Sequence, residues 1–243
     1  MKVLLIGDSC EDRYFYGDVK RLSPEAPVPI LEYKRGVTSE GMVKNVYNNL
    51  KAFGIEIDLL TNEEEVIKTR FIDEKSNYQI LRSDEEPEIK PFSHQLPKNN
   101  YDALVISDYD KGFITQEKLF ELSNWFQGPV FIDTKKTCIP GNAFIKVNES
   151  EFKKITHFIP DNMIITKGGE GTEYQGKLYP AEKVNVFDVV GAGDTFLAAL
   201  TYGYLKYGRI DKAIPLANKA AAVAVSHRGT YVLTKEDVNE ILR

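Results

Sequence analysis

The stretch "DVVGAGDTFLAAL", Asp188–Leu200, places two glycines and two aspartates directly ahead of an apolar run. The glycines free the backbone and the run behind them has helical composition, so the spacing predicts a helix that begins at the glycines. A helix start carries amide groups without partners and the positive end of the helix dipole, and it draws anions. Asp194 falls inside that anion site, a costly position for a carboxylate with no other task. A bound phosphate beside a carboxylate base accounts for both features. The plainer alternative is a helix start made of small residues for close packing.

Such a turn needs a frame. "KVLLIG" (Lys2–Gly7) is a short, continuously apolar run ending in glycine, as expected of a strand buried on both faces. Ala103–Ser107, Pro129–Asp133, Ala143–Val147 and Asn162–Thr166 read the same way, and Thr115–Phe126 between two of them reads as a helix capped by Thr115. The fold class expected is α/β: a mostly parallel, doubly wound sheet with helices on both faces. Functional groups of such sheets gather beyond the strand C-termini, where Asp8, Asp108, Asp133 and Asn148 fall. Pro27–Tyr33 and Ile67–Asp84 break this rhythm. The first reads as an edge strand and the second as two strands around a polar turn at Asp73–Asn77, together a small protruding sheet acting as a lid or contact surface. The C-terminal third reads as helices over Ala192–Tyr207, Asp211–Ser226 and Thr234–Leu242, the last with an acidic residue at the third position after its cap. "GTEYQGKL" (Gly171–Leu178) imitates a P-loop, but Leu178 stands where Ser or Thr belongs and a strand pattern follows, so a hairpin is expected.

Bulk composition narrows the chemistry. The chain has 243 residues, a length that suits one α/β domain, and its net charge of −5 argues against a sequence-independent nucleic-acid binder. No run is long enough to span a membrane, and "MKVLLIGDSC" breaks too early for a signal peptide, so a cytoplasmic protein is expected. Cys10, Cys138, His94, His157 and His227 are scattered without zinc spacing.

On these residues "DVVGAGDTF" resembles the signature of the ribokinase-like (PfkB) carbohydrate kinases. Gly7–Glu32, "KTRFI" (Lys68–Ile72), "SDYDKG" (Ser107–Gly112), "IDTKK" (Ile132–Lys136) and Ala217–Thr230 resemble the family's branch of D-glycero-β-D-manno-heptose 7-phosphate kinases of ADP-heptose biosynthesis. The resemblance runs through nearly the whole chain. It implies a single ribokinase-like domain, residues 1–243, with lid segments at about 12–35 and 66–84, that uses ATP and Mg²⁺ and forms a homodimer through the lid sheet. It implies that Asp194 takes the proton of the acceptor hydroxyl while Gly191, Ala192 and Gly193 meet the transferred phosphoryl group. Asn148 and Glu151 fall on the family's N-x-x-E element, which places Mg²⁺ and phosphates through water. Lys167, Gly169, Asp188 and Asn218 fall on the nucleotide side. Asp8, Asp12, Gly41, Asn45, Arg70, Asp108 and Lys111 fall on the sugar side. Arg13, Arg21, Lys68 and Arg70 suit a phosphate already on the acceptor; a solvated lid surface or dimer contacts would account for them equally.

The sequence departs from the family twice. "GMVKN" (Gly41–Asn45) stands where the family has G-G-A-A-N, which puts the bulk of Met42 and the charge of Lys44 where a bare backbone meets sugar. After Lys51–Thr61 the chain goes directly to the lid strands, without the usual βα unit and its G-x-D-x-x-G turn. No nucleotidyltransferase segment follows Arg243, so a kinase activity alone is expected. The expected acceptor is a sugar or sugar phosphate of the heptose 7-phosphate kind. A hexose, ketose or nucleoside kinase, or a relative that binds without turnover, are the alternatives.

Overall fold

The computed structural model describes residues 1–97, 100–156 and 161–243; His157 lies outside them. Along the chain run β1 (Lys2–Gly7), β2 (Ser9–Leu22), β3 (Pro29–Met42), α1 (Val43–Ala52), β4 (Glu56–Thr61), β5 (Ile67–Asp73) and β6 (Tyr78–Glu85). They are followed by β7 (Ala103–Asp108), α2 (Gln116–Trp125), β8 (Val130–Thr134), β9 (Phe144–Asn148), α3 (Glu149–Phe152) and β10 (Met163–Thr166). The hairpin β11 (Thr172–Tyr174) and β12 (Lys177–Tyr179) precedes α4 (Ala192–Tyr207), α5 (Ile210–Val225) and α6 (Lys235–Ile241).

The main sheet has the order β12-β11-β10-β9-β8-β7-β1-β4, parallel from β10 to β4, with the antiparallel hairpin on one edge. Its apolar strands alternate between two cores. Val3, Leu5, Val105 and Phe131 pack under α1, α4, α5 and α6, while Leu4, Ile6, Ile106 and Ile132 pack under α2 and the segment carrying Ile89 and Phe92. The same alternation aims Asp133 and Lys146, paired across β8 and β9, at the α4 face. Thr115 caps α2 and Thr234 with Asp237 forms a capping box on α6, as their spacing predicts. No helix among the described residues is long and apolar enough to cross a membrane.

A second sheet, β3-β2-β5-β6, stands on the first. It leaves the main sheet at Asp8, between β1 and β2, and rejoins it at Met42, where β3 runs straight into α1; the Val43 amide donates to the Asp8 carbonyl at 2.9 Å. Its strands are longer than the polar sequence suggests. Residues 33–42 have no apolar rhythm, yet they pair with β2 from Ser9 onward, because backbone hydrogen bonds rather than side-chain burial hold this edge. Pleating divides its residues by face. Asp12, Tyr14 and Tyr16 register with Lys68, Arg70 and Ile72 on one side, and Phe15 registers with Phe71 on the other. The turn expected at Asp73–Asn77 is present, with Asn77 at φ 57°.

Candidate active site

The start of α4 is built as its sequence demands. Gly191 caps the helix at φ 76°, a left-handed conformation, and a Cβ there would lie 2.7 Å from Asn45 Nδ2. Asp188 accepts from the amides of Val190 and Gly229, both at 3.0 Å, and so ties the turn to the loop after α5. The Ala192 amide is used locally, by the Val189 carbonyl at 3.3 Å, while those of Gly193 and Asp194 have no protein acceptor among the described residues. Gly191, Ala192 and Gly193 line a cavity of about 1150 Å³.

Asp194 is 2% exposed, and both of its oxygens are held. The Tyr109 hydroxyl donates to Oδ1 at 2.7 Å and Asn45 Nδ2 donates to Oδ2 at 3.1 Å. Burial pushes its pKa up to about 6, with Asp133 adding to the rise and the two hydrogen bonds and Lys146 opposing it. A carboxylate of that strength is ionised at neutral pH and holds a proton more tightly than a free carboxylate, which suits a general base. Asn45 cannot turn, because its Oδ1 accepts from Asn49 Nδ2 at 3.0 Å.

Opposite the turn, Lys146 and Asp133 form a buried ion pair at 2.6 Å, and a Cβ on Gly193 would sit 2.7 Å from the Lys146 ammonium. Asn148 caps α3 in a reciprocal box with Glu151, whose other oxygen pairs with Lys135. Burial would raise the Glu151 pKa, but the Lys135 hydrogen bond and the Asn148 amide outweigh it and hold it below the usual value. Gly168 and Gly169 line the cavity, whereas Lys167 reaches aside to Glu173 at 2.5 Å. Asn218 accepts from the Thr172 hydroxyl at 2.7 Å and donates to the carbonyls of Tyr179 and Pro180 at 2.9 and 3.1 Å. It thereby anchors the following strip, in which Val184, Val186, Phe187 and Val189 give the cavity an exposed apolar wall. Among the described residues no three acidic, cysteine or histidine side chains form a metal cage. Mg²⁺ fits this donor set nonetheless, since it takes one or two protein carboxylates and fills its shell with phosphates and water.

On the other side of Asp194, Asp8 is fully buried. One oxygen accepts the Tyr109 amide at 2.7 Å, and the other has no partner among the described residues. Burial, reinforced by Asp108, raises the Asp8 pKa to about 6. Asp12 pairs with Arg70 at 2.6 Å and Gly41 lies against it, its position filled by Asp12 Oδ2 were a Cβ present. Thr230 donates to Asp12 at 3.3 Å and meets the Tyr14 hydroxyl at 3.4 Å, joining the second sheet to the loop that Asp188 holds. Asp108 turns to Thr134 at 2.6 Å and to Lys136, and Lys111 pairs with Glu86 at 2.5 Å. Met42 does not crowd this space. At φ 57° its side chain drops into the core with Leu4, Ile6 and Cys10, where burial offsets a left-handed strain of about 1–3 kcal/mol. Lys44 is part-exposed and ends 4.0 Å from Glu40.

Tyr109 thus joins Asp8 to Asp194, which Asn45 also holds, Asp12 pairs with Arg70 against Gly41, and the α4 start shares its cavity with Tyr109, Asn148, Gly169 and Asn218. Reading the sequence passed over Tyr109, Lys135 and Lys146. Tyr109 had a signal, being the first residue beyond β7, while Lys146 is one polar residue in an apolar strand whose partner lies on another.

A helix start with free amides facing a cavity, and a buried carboxylate beside it, suits a bound anion. The fold that carries it is ribokinase-like. Thermotoga maritima ribokinase superposes with a TM-score of 0.70 at 16% identity, covering 99% of this chain and 98% of that one. Cryptococcus neoformans ribokinase in complex with ADP gives 0.68 at 14% identity, covering 98% and 99%. Residues 120–237 match the sequence profile of the pfkB family carbohydrate kinase. The bifunctional protein HldE of a Nitratiruptor species is 31% identical, the match covering all of this chain and 65% of that protein. Over residues 120–237, just under half of its length, the chain is similar to the pfkB family of carbohydrate kinases, and over its whole length it is similar to part of HldE. It spans slightly less than two thirds of the length of the curated relatives it matches first, 63% to 66%. The alignment with the Nitratiruptor protein extends over 300 positions against 243 residues here, so that relative has segments this chain lacks.

Proposed function

We propose that the chain transfers the γ-phosphoryl group of ATP to a hydroxyl of a phosphorylated sugar of the heptose 7-phosphate kind. The observation that carries the reading is Asp194, ionisable and buried, at a helix start whose free amides face the cavity. Asp194 takes the acceptor proton as the oxygen attacks. The amides of Gly193 and Asp194 meet the charge on the moving phosphoryl group, in a transfer that is mostly positioning and electrostatics. Asn148 and Glu151 are the residues to place Mg²⁺, which neutralises phosphate charge. Asn218 sets the apolar strip for the base of the nucleotide, and Asp8, with one oxygen open, takes a sugar hydroxyl.

Lys68 supports an acceptor that already bears phosphate. Arg13 and Arg70 are occupied by Glu11 and Asp12, but Lys68 is buried with no carboxylate in ion-pair reach among the described residues, 5.7 Å from the Tyr109 ring. The counter-charge near it is Asp84, its cross-strand neighbour on β6, which makes no ion pair with it, and a bound phosphate would supply a closer one. An ADP-release assay over sugars and sugar phosphates tests both points. Turnover is expected on a sugar phosphate, and Lys68→Met is expected to raise KM about tenfold or more for it while sparing unphosphorylated sugars. Nucleotide binding without turnover on any acceptor would leave a binding protein instead.

The outer face of the second sheet suits a homodimer. Phe15, Phe71 and Leu81 stand in register across three strands, Tyr33 packs on Phe15, and Tyr33 and Leu81 are 64% and 58% exposed. Sedimentation velocity is expected to give twice the chain mass of 27.5 kDa, and Leu81→Glu to halve it. A wild-type monomer at micromolar concentration removes the interface.

A further inference from the structure

Tyr109 stands where an acceptor alcohol has to stand. Its hydroxyl donates to Asp194 Oδ1 at 2.7 Å, the geometry in which a base receives a proton from the oxygen it activates. The residue is fixed from behind, its amide bonded to Asp8 at 2.7 Å, and it faces the cavity that the α4 start lines. The ammonium groups of Lys68 and Lys135 lie 5.7 and 5.3 Å from its ring centre, one from the acceptor side and one from the nucleotide side. With Asn45 on Oδ2, the phenol leaves Asp194 no oxygen open to solvent.

We propose that Tyr109 is a positioning residue that occupies the acceptor hydroxyl's place on Asp194 and keeps water off the base until a sugar displaces it. The inference rests on the kinase reading above. Such a site otherwise has a side reaction: a water oxygen bonds to the γ-phosphorus, its proton passes to Asp194, and the bond to the β-phosphate oxygen breaks to leave ADP. A water at the base satisfies the carboxylate as well as a sugar hydroxyl does, so exclusion rather than affinity separates them. The phenol is a poor acceptor itself, since its oxygen is held at the end of a ring whose backbone is pinned to Asp8.

The test is Tyr109→Phe. Without the hydroxyl, Asp194 Oδ1 is an unpaired buried charge that draws water from the cavity. ADP release without any sugar is expected to rise by about tenfold, and Tyr109→Ala, which removes the ring as well, to raise it further. A second readout is the pH profile of kcat/KM for the acceptor, which reports the free enzyme, where Tyr109 still sits on Asp194. The Tyr109 hydrogen bond lowers the Asp194 pKa, so its loss moves the acid limb, expected near pH 6 in the wild type, to higher pH. The other titratable groups facing Asp194 are Asp133 on β8, Lys146 on β9, Lys135 beyond β8 and Cys10 on β2, and all remain in the variant. Wild-type protein gives an independent measure: the tyrosine near-ultraviolet difference spectrum changes when the best acceptor of the panel is added, because the phenol leaves a carboxylate. Unchanged sugar-free hydrolysis together with an unmoved acid limb overturns the inference, as does a silent difference spectrum at saturating acceptor. Failure of the wild type to bind nucleotide or phosphorylate any sugar defeats instead the reading on which it rests.

Discussion

Asp194→Asn is expected to lower turnover by about a thousandfold or more while nucleotide affinity and the folded state are kept. The amide has nearly the shape of the carboxylate and can keep contact with Tyr109 and Asn45, but it cannot take a proton. A stability readout separates loss of the base from misfolding. The wild-type carboxyl titrates near pH 6 when folded, against 3.8 ordinarily, because burial penalises its charged form. A group whose pKa rises on folding favours the folded state below its ordinary pKa, and that contribution is lost as pH rises through the folded value. Above about pH 6 the wild type therefore carries a buried charge at a cost of roughly 3 kcal/mol, and the variant does not. Melting curves between pH 4 and pH 8 are expected to show the variant gaining on the wild type as pH rises. Near-wild-type turnover in Asp194→Asn removes this residue from the chemistry, whatever the melting curves show.

Lys146→Met is expected to cost about 3–5 kcal/mol of stability, the largest structural effect foreseen for a single side chain here. Asp133 and Lys146 face each other across β8 and β9 at 2.6 Å with side chains 6% exposed, and the second Asp133 oxygen has no partner among the described residues. Removing the ammonium leaves that carboxylate buried and unpaired, in the same pocket as Asp194, so its charge also opposes ionisation of the base. The double variant Asp133→Leu/Lys146→Met, with two apolar side chains in the same space, is expected to recover much of the loss, since paired burial of charge adds little net stability. Urea unfolding of the single and double variants measures this directly. A single variant within about 1 kcal/mol of wild type, the range of a surface pair, shows that water reaches the pair.

The two effects have different origins, and the difference marks how far the sequence reaches. Local order determined much. The apolar strands, the capping residues Thr115 and Thr234, and the helix beginning at Gly191 all follow from periodicity and backbone freedom within a few residues, and they place Asp194 beside an anion site before any contact is known. Tertiary structure decided what those groups meet. Nothing near Asp12 in sequence shows that Arg70, 58 positions away, neutralises it, which leaves buried Lys68 without a carboxylate in ion-pair reach among the described residues. Met42 carries the bulk its position in the motif suggests, but a left-handed backbone turns it into the core. The second sheet reaches Met42 because its polar strand pairs through the backbone, which composition does not encode. Tyr109 reads as one aromatic in a loop, and only the approach of α4 to the end of β7 puts its hydroxyl on the base. Short-range patterns fix which backbone groups are free, whereas which charges cancel depends on long-range pairing, and the chemistry of this site is set by the charges left over.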